Sequence, residues 1–204
     1  MKRLALPRNT PDLAALIGSR ICHDLVSPLG AVGNGVELLA ATGTAPTPEA
    51  ELIAQSVAAA QGRIAVFRIA FGPARDDQTI ESPARREIVA GLQGSGRLTV
   101  DWTPEGPLPR PAAKLAALMM LCAETALPRG GHIAVSHERD TLRLDADGRR
   151  VTLDDTLWPV LDGAEPPEEL RAAHVQFPLA AQELARQGRP AAVLSTETTL
   201  QITC

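Results

Sequence analysis

The sequence predicts an α+β protein: an antiparallel helical hairpin that pairs with a second copy into a dimeric four-helix bundle, followed by an α/β sandwich. Two observations carry this. The first 76 residues hold two long stretches with apolar side chains at helical spacing, separated by the breaker-rich "TGTAPTPEAE". Beyond "GPARDDQTIESPARRE" short strand-like and helix-like runs are mixed, so the chain divides into residues 1–76 and 77–204. At 204 residues and 45% apolar, it has enough to bury a core.

The first helix opens at Thr10, Pro11 and Asp12, a cap residue, a first-turn proline and an early acid, and runs to about Ala41. Its apolar stripe is Ile21, Leu25, Val32, Val36 and Leu39. In the second helix Ile53, Val57, Ala60, Ile64, Phe67 and Phe71 recur in steps of four and three, a bundle seam. Two helices cannot cover these faces alone, and pairing two hairpins buries them. After residue 83, "RREIVAGLQ" reads as helix, "RLTVDW" as strand, "AAKLAALMMLCAETAL" as a buried helix and "HIAVSH" as strand. "TLRLDADGRRVTL" reads as a hairpin turning at Asp147 and Gly148. "HVQFPLAAQELARQ" is a last helix, and "AAVLST" and "TLQITC" are closing strands. Helices on one face of a mostly antiparallel sheet follow.

Composition narrows the function. Twenty Lys and Arg against 24 Asp and Glu give a formal charge of -4, so no basic surface attracts nucleic acid. Aromatics are 2% with no tyrosine, too few for base stacking. Cys22, Cys122 and Cys204 are far apart, without metal-ligand spacing, which fits reduced thiols in the cytoplasm. His132 and His137, five apart on a strand, point to opposite faces and share no metal. Pro7, Arg8 and Asn9 interrupt the basic start before it could act as a signal sequence. No apolar run is long enough to cross a membrane.

The stretch "RICHDLVSPLGAVGNGVELL" places His23 beside Asp24 and five residues before Pro28. At about 100° per residue, Ser27, Gly30 and Asn34 fall within roughly 40° of His23, opposite the apolar stripe. His23 is therefore expected to be exposed, with Arg20 one turn before it and a bare Gly30 two turns after. Such a face admits another molecule closely. Pro28 removes a backbone hydrogen bond just past the imidazole and favours a kink.

These residues resemble the phosphoacceptor helix of two-component histidine kinases, a histidine followed by an acid and, five positions on, a proline. "GNGVELL" and the spaced small residues resemble more closely the ChpT-type bacterial histidine phosphotransferases. The resemblance is strong over residues 20–39 and architectural beyond residue 83, where it implies a domain similar to the kinase ATP-binding fold. It also implies a relay: the receiver domain of a hybrid kinase passes a phosphoryl group from its aspartate to His23, which passes it to the receiver domains of response regulators. Neutral imidazole suits this chemistry. Asp24 would hydrogen-bond or orient the ring, or be a solvated helix acid. Arg20 would steady phosphoryl charge, or be an ordinary surface arginine. Arg20, Ser27, Gly30 and Asn34 are the expected docking face. Magnesium would sit in the partner receiver, and this chain would bind no cofactor.

A residual histidine kinase is a competing reading. Kinases of that fold hold magnesium with an asparagine on the helix matching "KLAALMMLCAETAL", whereas the asparagines here are Asn9 and Asn34. "DADGRR" has one glycine where an Asp-x-Gly-x-Gly loop is needed, "GLQGSG" lacks the acid, and no glycine directly precedes Lys2 or Lys114. A non-catalytic dimeric adaptor for response regulators is the other alternative, and only His23 separates it from the relay.

Overall fold

A computed structural model of the chain describes residues 12–42, 48–94, 96–102, 106–138 and 141–204. The expected cap at Thr10 and Pro11, and most of the interhelical turn, lie outside these residues. Asp12 does the capping: its Oδ1 accepts the amides of Ala14 and Ala15, both at 3.1 Å, and α1 (Leu13–Thr42) begins one residue later. The helix continues through Pro28. The second arm, α2 (Pro48–Ala70), ends where Arg110 donates to the carbonyls of Arg68 and Ile69 and Lys114 donates to that of Gly72. These cations satisfy carbonyls that the helix end leaves without partners.

The rest of the chain is α+β. A two-stranded antiparallel ribbon joins β1 (Thr79–Ile80) to β3 (Leu108–Pro109). The main sheet is built from β2 (Leu98–Trp102), β4 (Gly131–Glu138), β5 (Thr141–Asp147), β6 (Ala192–Ser195) and β7 (Thr199–Thr203), in the order β2-β4-β5-β7-β6. Only the β2–β4 pair is parallel. Three helices complete it: α3 (Ser82–Gln93), α4 (Arg110–Ala126) and α5 (Gln176–Gln187). Of these, α4 is the most enclosed, with Leu115, Leu118, Met119 and Met120 fully buried. Its near-continuous apolar sequence follows from contact with neighbours on several sides.

The hairpin expected at Asp147 and Gly148 is not formed. A tight two-residue turn needs left-handed backbone, and Gly148 is not left-handed. Glycine is there for a different reason: a Cβ would lie 2.8 Å from the Gly130 carbonyl oxygen and 2.9 Å from Leu127 Cδ2. The chain then leaves the sheet, with Val151 N bonded to Glu197 O and Thr152 N to Ala126 O, and β5 pairs instead with β4 and β7.

One core runs from Val66, Phe67, Ile69 and Ala70 at the base of α2 through α4 to Leu200 and Ile202 in the sheet. The hairpin base is thus continuous with the C-terminal layers. Where α2 crosses α3, Gly62 meets Gly91: a Cβ on Gly62 would stand 2.6 Å from Gly91 Cα. Toward the hairpin tip the packing changes. Of the expected seam in α2, Ala60 and Phe67 are buried, while Val57 and Ile64, seven residues apart, face outward. In α1, Leu29 and Val36 do the same at the same spacing. Each arm therefore carries a second apolar stripe that its own hairpin leaves uncovered.

Candidate functional site

His23 stands on α1 with 82% of its side chain exposed. Its surroundings are built by three helices. Asp24 Oδ1 lies 3.0 Å from His23 Nδ1, while Asp24 Oδ2 accepts from Arg20 Nε at 2.9 Å and from Arg63 Nε at 3.0 Å. Arg63, on α2, also donates through Nη2 to Glu124 Oε2 of α4 at 2.9 Å. Arg20 is held by the Ala173 carbonyl, which belongs to a short 3₁₀ turn over Ala172–His174. Both guanidinium groups lie over the ring of Phe67, at 6.0 Å and 5.3 Å from its centroid. Phe67 in turn stacks on Phe71. The aromatic pair thus gives the two arginines a flat, polarisable floor.

The electrostatics follow from this packing. Burial pushes the Asp24 carboxyl up, but the hydrogen bond with His23 and the charges of Arg20 and Arg63 outweigh it, leaving Asp24 below its ordinary value. For Arg63 burial opposes the charge, and Glu124 and Asp24 more than offset it, so its guanidinium holds its proton more tightly than usual. An ionised carboxylate can only accept. Asp24 Oδ1 therefore receives its hydrogen bond from Nδ1–H, and in the neutral imidazole the lone pair sits on Nε2.

A groove of about 660 Å³ adjoins the ring, lined among others by Ser27, Pro28, Leu52, Gln55 and Arg97. Arg20, His23, Asp24 and Ser27 meet there. Gly30 and Asn34 are exposed farther along α1, and a Cβ added to Gly30 would meet no neighbouring side chain or strand within 4 Å. Arg20 departs from the surface arginine left open by the sequence: it is only 7% exposed, because Asp24, Ala173 and Phe67 enclose it. Arg63 and Glu124 are members that sequence reasoning misses. Their signals are a charge within the buried end of "QGRIAVFRIA" and a lone acid closing the apolar run "KLAALMMLCAETAL".

Other polar groups lie apart from this site. His132 bridges Asp101 and Asp147 across β2, β4 and β5 on the open face of the sheet. Among the described residues no cluster of three or more His, Cys, Asp or Glu side chains could hold a metal ion, and no helix is long and apolar enough to cross a membrane.

Comparison with known proteins agrees with the geometry. Residues 84–199 match the histidine phosphotransferase C-terminal domain family. The protein phosphotransferase ChpT of Brucella abortus (strain 2308) is 35% identical over 173 residues, covering 81% of each chain. A solved structure of a bacterial phosphotransferase superposes with a TM-score of 0.79 at 29% identity, covering 98% of this chain and 99% of that one. With a family match over more than half its length and a relative this similar across most of the rest, the chain belongs to the ChpT-type histidine phosphotransferases and is a phosphotransferase of the phosphorelay kind.

Proposed function

We propose that His23 is the phosphoacceptor of the relay and that Nε2 is the atom that takes the phosphoryl group. The observation that carries this is an imidazole open to solvent whose Nδ1 is engaged by an anchored carboxylate. The Nε2 lone pair attacks phosphorus of an aspartyl phosphate in the donor receiver. The N–P bond forms as the bond from phosphorus to the aspartate oxygen breaks, and that carboxylate leaves. Positive charge developing on the ring is met by Asp24, whose Oδ1 keeps the Nδ1 proton. In the second half the acceptor's aspartate attacks phosphorus and His23 departs as neutral imidazole.

The donor is the receiver domain of a hybrid histidine kinase and the acceptors are receiver domains of response regulators. Each supplies its own magnesium; this chain supplies none and binds no ATP. The face carrying Ser27, Gly30 and Asn34 receives these partners. The working form is a homodimer, supported by the uncovered heptad-spaced stripes Leu29, Val36 and Val57, Ile64. The setting is the cytoplasm, supported by three free cysteines.

The test is incubation with a radiolabelled phosphorylated receiver. Acid-labile, base-stable label on the wild type and none on a folded His23→Ala is expected. Label surviving in His23→Ala would overturn the assignment, and no label on the wild type would leave a docking adaptor. Label taken directly from ATP would restore the kinase reading.

A further inference from the structure

We propose that Arg63, braced by Glu124, is a positioning residue for phosphoryl transfer, and that through it the C-terminal layer decides which nitrogen of His23 is nucleophilic. The proposal rests on His23 as the phosphoacceptor.

The division of labour at Asp24 is the starting point. Its two oxygens do different work: Oδ2 takes both arginines and Oδ1 takes the histidine. With Oδ2 tied down, the carboxylate cannot rotate away from Nδ1 without breaking two charge-assisted bonds. Arg20 is one turn earlier on the same helix, so alone it would make the arrangement a local property of α1. Arg63 reaches in from α2, and its other arm ends on Glu124 of α4. A line of hydrogen bonds therefore runs His23, Asp24, Arg63, Glu124 and crosses three helices.

This line is enclosed everywhere except at the histidine. The side chains of Asp24, Arg63 and Glu124 are 13%, 14% and 15% exposed, against 82% for His23. Arg63 meets one carboxylate with Nε and the other with Nη2, two donors held apart in one rigid plane, whereas an ammonium offers its three donors from a single point on a flexible stem. Glu124 also balances the charge. Two arginines around Asp24 alone would place a surplus cation in a poorly solvated cluster, and Glu124 makes it two against two.

The tautomer of His23 is the property to read, because loose packing alone would not move it. Nitrogen-15 spectra of histidine-labelled dimer, assigned by difference from His23→Ala, should show the Nδ1–H form in the wild type. Arg63→Met and Glu124→Gln should both move His23 toward the Nε2–H form that free imidazole favours. Transfer from a phosphorylated receiver should fall by about tenfold in Arg63→Met, the lower end of the loss seen when groups that orient a metal-ligating histidine are removed, and by less in Glu124→Gln. Arg63→Lys keeps the charge but should also transfer slowly, because its single nitrogen cannot stand at both the Nε and the Nη2 positions and so does not fix the Asp24 carboxylate.

If Arg63→Met does not fold, Glu124→Gln decides alone. Variants that keep the Nδ1–H form refute the proposal, whether transfer slows or not. The tautomer is measured without phosphate, so this failure is distinct from that of the His23 assignment, which label surviving His23→Ala reveals.

Discussion

Replacing Gly91 by alanine should destabilise the protein, although an interior helix position normally gains from this change. The intrinsic gain is about 1 kcal/mol, because glycine leaves the backbone more freedom to lose. The structure opposes it. The new methyl would run into the Gly62 carbonyl of α2 and stand 2.9 Å from Val66 Cγ2. Ordinary carbon contacts are nearer 3.5–4.0 Å, so the helices must separate, at a cost of about 2–3 kcal/mol, the upper part of the overpacking range because the clash is with backbone. A net loss of roughly 1–2 kcal/mol lowers the melting temperature by about 2–8 °C for a chain this long. Gly30→Ala is the matched control: its Cβ meets nothing within 4 Å, so the melting temperature should rise by about 2–4 °C at most. Thermal unfolding followed by circular dichroism reads both. A Gly91→Ala protein that melts at or above the wild type would show that α2 and α3 do not cross at this distance.

Gly30→Arg should melt at or slightly above the wild-type temperature, as Gly30→Ala does, while phosphotransfer drops about tenfold, or about 1.4 kcal/mol, because a long cation then occupies the docking face; an undiminished rate in stopped-time labelling would mean that receivers dock elsewhere. Acid should weaken the fold through Asp24. Its folded value is below the unfolded one, so its stabilisation is present above about pH 4 and is lost as pH falls through the lower folded value. Asp24→Asn should flatten that part of the stability profile, and an unchanged acid limb would contradict the pairing. Leu29→Glu combined with Val57→Glu should convert a species of about twice 21.5 kDa into one of 21.5 kDa by light scattering; a dimer that survives would place its interface elsewhere. His132 should titrate above its ordinary value of 6.5, chiefly through its hydrogen bond with Asp101, and fall back in Asp101→Asn. Its contribution to stability, present below the ordinary value and lost as pH rises through the folded one, stays under about 1 kcal/mol because the trio is exposed.

Local pattern was enough wherever one face of an element decides its fate. The long arms and the buried α4 are legible because their apolar spacing holds over many residues, and β7 because its short run alternates. It failed where a residue answers to something distant in the chain. Asp147 and Gly148 carry a turn signature, yet Gly148 is chosen for its approach to Gly130 and Leu127. The β1–β3 ribbon is only two residues per strand and depends on a partner nearly thirty positions away. At the site, the helical wheel places His23 outward because exposure is a property of α1 alone. Arg20 is enclosed by a 3₁₀ turn more than 150 residues later, and Arg63 is bound to an acid in a different layer. A wheel has no knowledge of either. The split of the α2 seam into an inner and an outer stripe is likewise invisible until the tilt of one arm against the other is known.

The openness of His23 bears on time as well as on access. An imidazole with 82% of its side chain in water shelters a phosphoryl group only on the side that borders the groove. On the relay reading, the modified protein is then a poor store of information: the bond lasts only as long as its own lability to water allows. Because the same bare surface serves loading and unloading, neither direction is favoured by shape. The flow of signal is set by how much phosphorylated donor and empty acceptor surround the protein, and reverses when those amounts do, so that the chain behaves as a conductor whose current follows the difference between its two ends.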